Sequence, residues 1–244
     1  MTALLRADGL VKRFGGVMAV DDCSLSIATS SITGLIGPNG SGKTTVFNIV
    51  TGFLRPDAGT VTFDGRHVAR PDPAGLYRRG LTRTFQQPRV FRELSLVDNL
   101  AVAARRSRWG VFRRDVRAAD RTRAIELLGE FGLAELGGHR AKELSFGQQK
   151  LLEFATVLMG DPRLVLLDEP TAGVNPVMIE TMERHVRALH ERGITLLIVE
   201  HEMGFVMRLC DPVIVLDHGT KLAEGSPGQI QRDPEVLDAY LGAR

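Results

Sequence analysis

The most informative segment of the chain is Ser31-Ile-Thr-Gly-Leu-Ile-Gly-Pro-Asn-Gly-Ser-Gly-Lys-Thr44. An apolar segment, 31–36, predicts a short strand, and a helix is predicted over 43–51. Between them lies a match to the pattern G-x-x-x-x-G-K-[ST]. Glycines let successive backbone N–H groups point into one concavity, and the helix N-terminus adds partial positive charge. The stretch therefore predicts a site for the phosphates of a nucleotide.

The side chains of this loop have distinct expected roles. Lys43 would neutralise the β- and γ-phosphates, and Thr44 would ligate magnesium. The alternative is a glycine turn followed by a solvated lysine, against which the flanking strand and helix argue. The expected nucleotide-binding residues of the loop are Gly37, Asn39, Gly40, Ser41, Gly42, Lys43, Thr44 and Thr45.

A second chemical signal is the run Leu164-Val-Leu-Leu-Asp-Glu169. Its four apolar residues predict a strand buried on both faces, whose carboxyl end lies at the sheet edge where ligands bind. We predict that Asp168 holds magnesium, directly or through water. Glu169 would accept a proton from the attacking water or orient it. The alternative is a strand that ends in a polar turn before Pro170.

Strands and helices alternate along much of the chain. Strands are predicted over 4–10, 18–27, 59–64, 194–199 and 212–216, and helices over 118–131, 178–192 and 203–209. The predicted fold class is α/β: a P-loop NTPase core with a mostly parallel sheet, an N-terminal antiparallel β subdomain and an inserted α-helical subdomain. We expect one domain, with a nucleotide-binding core (1–86 and 160–225), a helical subdomain (87–159) and a C-terminal helical tail (226–244).

Composition narrows the class of protein. Hydrophobic residues make up 43% of the 244 residues and charged residues 25%, which excludes a wholly disordered chain. The net charge of +2 is too small to argue for nucleic acid. Two distant cysteines, Cys23 and Cys210, predict reduced thiols. We find no signal peptide and no apolar run near the ~20 residues of a membrane span, so we expect a soluble subunit that a partner anchors.

A third signal, Leu144-Ser-Phe-Gly-Gln148, precedes a helical pattern. Ser145 would cap that helix. The N-terminus of a helix is also an anion site. The residues by themselves leave both interpretations open.

Taken in order, these motifs resemble the ATP-binding subunit of ABC transporters. The phosphate loop, Phe85-Gln86, the 144–148 signature, Asp168-Glu169 and a histidine, His201, follow one another as in that family, over nearly the whole chain. The resemblance implies ATP hydrolysis with ATP and Mg²⁺ as cofactors. The chain departs from the family at Phe146, where glycine is commonest, and at Asn175, where aspartate is frequent.

The resemblance also implies roles for single residues. Phe14 would stack on adenine, the alternative being a core phenylalanine. Gln86 would sense the γ-phosphate and magnesium, the alternative being a surface glutamine, and His201 would contact the γ-phosphate, the alternative being a structural histidine. The signature residues would bind the ATP held by a second subunit; they are Ser145, Gly147 and Gln148.

Two segments resemble the branched-chain amino acid importers within this family. One is the arginine-rich stretch 105–123, which is either a solvated basic face or a contact for anionic lipid or a membrane partner. The other is the C-terminal segment 224–242. The resemblance implies import of branched-chain or related hydrophobic amino acids, with amide or urea uptake, or lipid or lipopolysaccharide export, as alternatives.

This resemblance further implies a set of partners. They are two polytopic permeases, a second ATP-binding subunit that is a paralogue or an identical copy, and indirectly a substrate-binding protein, with no nucleic acid. The chain would lie at the cytoplasmic face of the cell membrane. We expect a groove near 88–91 to receive a permease helix. An ATPase acting on ribosomes or DNA would need a second ATPase domain or a long coiled coil, and a pure binding module would be expected to lack Glu169 or His201.

Overall fold

The computed structural model of the chain describes residues 2–104 and 118–241. The strands are β1 (Ala3–Phe14), β2 (Val17–Ala28), β3 (Ile32–Ile36), β4 (Ala58–Phe63), β5 (Arg66–His67), β6 (Leu81–Arg83), β7 (Leu164–Asp168), β8 (Thr195–Val199), β9 (Val213–Asp217) and β10 (Thr220–Gly225). The α-helices are α1 (Lys43–Val50), α2 (Pro73–Arg78), α3 (Leu96–Val102), α4 (Ala118–Glu130), α5 (Phe146–Leu158), α6 (Pro176–Glu191), α7 (Met203–Leu209), α8 (Pro227–Ile230) and α9 (Pro234–Leu241).

Two sheets organise these elements. The first is antiparallel, with the order β2-β1-β4-β5, and the second has the order β10-β9-β3-β8-β7-β6. In the second sheet the pairs β9–β3, β3–β8, β8–β7 and β7–β6 are parallel, and β10 adds an antiparallel edge. The predicted α/β class with a mostly parallel sheet and an antiparallel N-terminal sheet is thereby confirmed.

The central strands β3, β7, β8 and β9 are buried along their whole length, which explains their unbroken apolar sequences. Alternate residues of each strand enter two different cores. Ile32 and Ile36 of β3 pack with the helices α3 to α7. Leu35 packs on the other side, with α1 and the antiparallel sheet. The carboxyl ends of these strands therefore share one edge, which positions the site.

Several elements differ from the sequence prediction. The strand predicted over 4–10 continues to Phe14 in β1. The helical tail is two helices, α8 and α9, because Pro234 starts a new helix after a break. Strands β6 and β10 and helix α2 are short and had no clear pattern. The stretch 105–117 lies outside the described residues; beyond it, Arg121 and Arg123 form exposed ion pairs with Asp98 and Glu126.

Among the described residues, none of the helices has both the length and the apolar character that a membrane span requires.

Candidate functional site

The loop between β3 and α1 has the backbone that a phosphate-binding concavity needs. Gly37, Gly40 and Gly42 have φ values of +150°, +82° and +97°. A Cβ atom on Gly42 would lie 2.5 Å from Ala19 O, and one on Gly37 would collide with Leu216 O. Glycine is therefore required at both positions by sterics as well as by conformation.

Lys43 fills the concavity with its ammonium group. Its Nζ donates to Gly37 O at 2.8 Å and to Pro38 O at 2.9 Å, with Ser41 Oγ at 3.4 Å. The residue is buried, and burial lowers the pKa of the ammonium, an effect that Glu169 opposes. A buried cation held only by neutral oxygens is suited to bind anionic phosphate oxygens.

The C-terminal tail reaches this loop. Tyr240, at the end of α9, lies beside the backbone N–H of Gly37. Burial raises the pKa of this phenol to about 12. The sequence of the tail does not indicate this proximity, because nothing in it marks how far the tail lies from the loop.

Three of the predicted residues form one hydrogen-bonded network. Gln86 Nε2 donates to Glu169 Oε2 at 2.7 Å, and His201 Nε2 lies 2.9 Å from Glu169 Oε1. Glu169 itself has a φ of +46°, a strained value for a glutamate of the kind found at functional sites. Both carboxylate oxygens of Glu169 thus have partners that fix their orientation beside the strand ends.

Asp168 lies one residue earlier, at the end of β7, and is nearly buried. Its Oδ2 accepts a hydrogen bond from Arg83 Nη2 at 3.0 Å. Burial raises the pKa of the Asp168 carboxyl, and Arg83 acts against that rise. The carboxylate, with the Thr44 hydroxyl and the Gln86 amide oxygen, supplies the hard oxygen donors that Mg²⁺ prefers, so the donor set fits this ion.

Helix α5 supports the network from behind with two buried charged residues. Glu153 Oε1 accepts hydrogen bonds from the backbone N–H groups of Phe85 and Arg89, which flank Gln86. Lys150 Nζ donates to the backbone oxygens of Glu169 and Pro170. Neither residue was predicted from the sequence, although a charged residue inside an otherwise apolar helical run is the signal that identifies such a position.

The buried carboxylate of Glu200 supports the same edge. It accepts hydrogen bonds from the backbone N–H groups of Thr171, His201 and Glu202, and from the Thr171 hydroxyl at 2.6 Å. It therefore holds the segments that follow β7 and β8 together and orients His201. Glu200, which directly follows the predicted strand 194–199, was not predicted from the sequence to have a role.

The signature residues begin α5. Ser145 Oγ accepts from Gln148 N, and Gln148 Oε1 accepts from Ser145 N, which is a capping box. The sequence left open whether Ser145 caps a helix or belongs to an anion site, and the cap is observed. Within the described residues, no hydrogen bond joins the signature to the phosphate loop of the same chain.

The two departures from the family pattern have structural roles. The Phe146 ring packs on Gly173, where an added Cβ would lie 3.1 Å from the ring. Lys150 Nζ lies 5.5 Å from the centroid of the same ring. Asn175 caps α6, its Oδ1 accepting from Met178 N at 2.9 Å. Asparagine is as good a cap as aspartate, so the helix start is preserved.

Phe14 ends β1, where it pairs with Val17 across the turn to β2. Its side chain is half exposed, which excludes the alternative of a core phenylalanine. Early in β2, the carbonyl oxygen of Ala19 approaches Gly42 so closely that a Cβ atom added there would lie 2.5 Å from it. The ring is therefore exposed on a hairpin that runs beside the phosphate loop.

The fold and these residues define a P-loop nucleotide-binding ATPase. The sequence profile of the ABC transporter family matches residues 20–172. A second profile, described as a branched-chain amino acid ATP-binding cassette transporter, matches residues 220–244. The chain belongs to the ABC transporter family, and it is an ATPase subunit of that family.

Individual relatives agree along nearly the whole length. The chain is 39% identical to the high-affinity branched-chain amino acid transport ATP-binding protein BraF of Pseudomonas aeruginosa, with 98% of each chain covered. It is 39% identical to the protein LivG of Salmonella typhimurium, which carries the same description, again with 98% of each chain covered. The likeness therefore includes the helical region and the C-terminal segment as well as the phosphate loop.

Solved structures show the same fold. An ATP-binding cassette of an ABC transporter in its ADP conformation is 35% identical, with a TM-score of 0.88 over 99% of this chain and 100% of that one. A nucleotide-free ATP-binding cassette from an ABC transporter is 34% identical, with a TM-score of 0.87 over 98% and 99%.

Proposed function

We propose that this chain is the ATP-hydrolysing subunit of an importer for branched-chain or related hydrophobic amino acids. It would lie at the cytoplasmic face of the cell membrane and act with two permeases. The observation that carries the substrate class is the match of residues 220–244 to the branched-chain amino acid profile. The relatives with that named function support it along the rest of the chain.

ATP would bind with its phosphates in the glycine loop and its adenine on Phe14. Lys43 Nζ would exchange the neutral oxygens of Gly37 and Pro38 for phosphate oxygens, because charged acceptors form stronger hydrogen bonds. The exposed Phe14 ring offers a face for stacking. This assignment makes the loop and the hairpin the binding part of the site.

Glu169 would act as the general base toward the attacking water. Its two oxygens are held by Gln86 and His201, so the carboxylate is oriented before reaction. Thr44, Asp168 and Gln86 would hold Mg²⁺, which, when bound, neutralises the charge that develops on the phosphates. Gln86 and His201 would then be positioned to detect the γ-phosphate through their bonds to Glu169.

A second ATP-binding subunit would complete the site. Ser145, Gly147 and Gln148 lie at the solvent-accessible start of α5 and have no hydrogen bond to the chain's own phosphate loop among the described residues. A helix N-terminus facing a partner's γ-phosphate would join two subunits, and hydrolysis would remove that bridge. We also propose that the chain is one ATPase domain, in which a core (1–86 and 160–225), a helical subdomain (87–159) and a C-terminal tail (226–244) are the regions expected from the sequence.

A groove next to Gln86 is suited to receive a segment of a permease. It has a volume of about 420 Å³, and its lining includes Phe53, Tyr77, Phe85 and Val157. The lining includes neither Pro88 nor Phe91, so we place the docking surface beside the groove predicted over 88–91. An apolar groove of this kind accepts the apolar face of a short helix.

Affinity purification of the tagged chain from its native membranes tests the proposal. We expect two polytopic permeases and a second ATP-binding subunit to accompany it. A matched control is Glu135→Gln, an exposed change that should alter no partner. Recovery of soluble partners or ribosomes alone would overturn the transport function and leave the ATPase assignment intact. Permeases for amides, urea or lipids would overturn the amino acid class.

A further inference from the structure

Arg83 lies where three parts of the molecule meet. It ends β6 and lines the apolar groove described above. Its Nη2 donates to Asp168 Oδ2 at 3.0 Å, and the two side chains are 8% and 12% exposed. Its Nη1 donates to Asn48 Oδ1 at 2.7 Å and to Thr51 Oγ1 at 3.2 Å. The guanidinium therefore joins Asp168 to α1, the helix that begins at Lys43.

Aromatic rings surround the same guanidinium. Its central carbon lies 4.4 Å from the centroid of Phe47, 4.5 Å from Phe85 and 5.1 Å from Phe53. Phe53 and Phe85 line the groove, and Phe53 is half exposed within it. A segment that occupies the groove would touch the rings that hold Arg83 in place.

We propose that Arg83 is a positioning residue that transmits occupancy of the groove to Asp168. The role of the groove rests on the proposed function. The route is separate from the bond between Gln86 and Glu169, because it ends on the neighbouring carboxylate and passes through different side chains. Arg83 thus gives the permease side of the molecule a second connection to the nucleotide site.

The chemistry of arginine explains why such a link is stiff. A planar guanidinium fixes its donors in one geometry, and here they reach Thr84 O as well as Asn48, Thr51 and Asp168. The three aromatic rings lie 4.4 to 5.1 Å from the guanidinium carbon and restrain its position. A shift of the Phe53 or Phe85 ring must therefore move the plane or break a bond at its edge. Lysine would keep the positive charge but would lose both the plane and most of the donors.

Coupling of this kind is reciprocal, so events at Asp168 must also reach the groove. The isolated subunit gives a direct test. Phe53→Trp, in a background where Trp109 is replaced by Phe, places a fluorescent ring against Arg83. Adding Mg²⁺ with saturating ATP should change the emission of this ring. Calorimetry establishes saturation.

Arg83→Lys decides the route, because it retains a charge for Asp168 and so preserves the fold. We expect the amplitude of the fluorescence change to fall at least about threefold. Arg121→Lys, in an exposed ion pair, is the matched control and should leave the amplitude unchanged. Equal amplitudes in the Phe53→Trp/Trp109→Phe protein with and without Arg83→Lys would overturn the proposal. The absence of any fluorescence change in that protein with Arg83 intact would also overturn it.

A second variant leaves Arg83 and Asp168 intact. Phe53→Leu removes only the ring on the groove side. In the assembled transporter we expect the ratio of substrate-stimulated to unstimulated ATP hydrolysis to fall by about 2- to 30-fold. An unchanged ratio would overturn the proposal. If no permeases accompany the chain, the proposed function fails, whereas the fluorescence test on the isolated subunit still decides the role of Arg83.

Discussion

The phosphate loop and the carboxylate edge of the site are built in opposite ways. The loop is one contiguous segment, and Lys43 finds its partners five and six residues away, in Pro38 and Gly37. The edge is assembled from distant segments: Gln86 and Glu169 are 83 residues apart, and Glu169 and His201 are 32 apart. The first is fixed by backbone sterics, and the second depends on the topology of the sheet.

This difference predicts that binding and turnover can be separated. Changes in the loop should act on the affinity for nucleotide. Changes at the edge should leave the nucleotide bound and act on its hydrolysis. Four substitutions test whether nucleotide binding and hydrolysis separate in this way.

The largest effect is expected at the edge, for Glu169→Gln. The amide cannot accept a proton from water, so turnover should fall roughly 10²- to 10⁴-fold, the contribution of a general base. Affinity for ATP should stay within about twofold, since the loop is untouched. Steady-state hydrolysis and equilibrium ATP binding check this result. Glu126→Gln, at an exposed position, is the control; normal turnover by Glu169→Gln would refute the role of Glu169.

The next largest effect is expected on the free energy of unfolding, and it depends on Glu153, which supports the carboxylate edge. Burial raises the pKa of this carboxyl from 4.5 to about 7, so the folded state binds a proton that the unfolded state releases between these values. The stability that this proton provides is full below pH 4.5 and is lost as pH rises to about 7.

Glu153→Gln keeps an oxygen for the two backbone N–H groups and removes the charge. At pH 8 it should stabilise the fold by roughly 3 kcal/mol, and most of that gain should vanish by pH 5. Denaturant unfolding at the two pH values measures it, with Glu135→Gln as the exposed control. A gain in the free energy of unfolding that does not depend on pH would contradict the raised pKa of Glu153.

A smaller effect is expected in the loop, for Gly42→Ala. The new Cβ would meet Ala19 O at 2.5 Å, and the φ of +97° is strained for alanine. Strain of this kind costs about 1–3 kcal/mol, so ATP affinity should fall about tenfold or more. Gly129→Ala in α4 is the control, because nothing lies near its Cβ and alanine favours a helix. Unchanged ATP binding by Gly42→Ala would show that the loop tolerates a side chain there.

The smallest effect is expected for Phe14→Ala, which should lower the affinity for ATP about tenfold. Stacking of a base on an aromatic ring is worth roughly 1–3 kcal/mol, and the exposed hairpin places Phe14 at the low end. Phe14→Trp should restore affinity, and Phe91→Ala, another exposed phenylalanine, should not change it. Fluorescent nucleotide titration is the measurement. An equal loss from both alanine variants would remove Phe14 from the site.

The contiguous and the assembled parts of the site also differ in how far the sequence predicts them. The loop and the Asp168-Glu169 pair were predictable because each lies within a few residues of its own strand. Arg83 and Glu153 were not, because their partners lie 85 and 68 residues away and only the sheet and α5 bring them together. Tyr240 and Gly37, which lie beside each other, are also far apart in the sequence. The fold class was predictable from the apolar central strands, whereas short elements such as β6 have too few residues to show a period.

Reconstitution of transport in vesicles is the decisive experiment for the proposed importer function. The chain, its permeases and its second ATP-binding subunit would be placed in vesicles with ATP inside and the substrate-binding protein outside. We expect ATP-dependent accumulation of labelled leucine, isoleucine or valine, reduced about tenfold or more by Glu169→Gln. Accumulation that needs no ATP, or steady hydrolysis without uptake of any of the three, would contradict it.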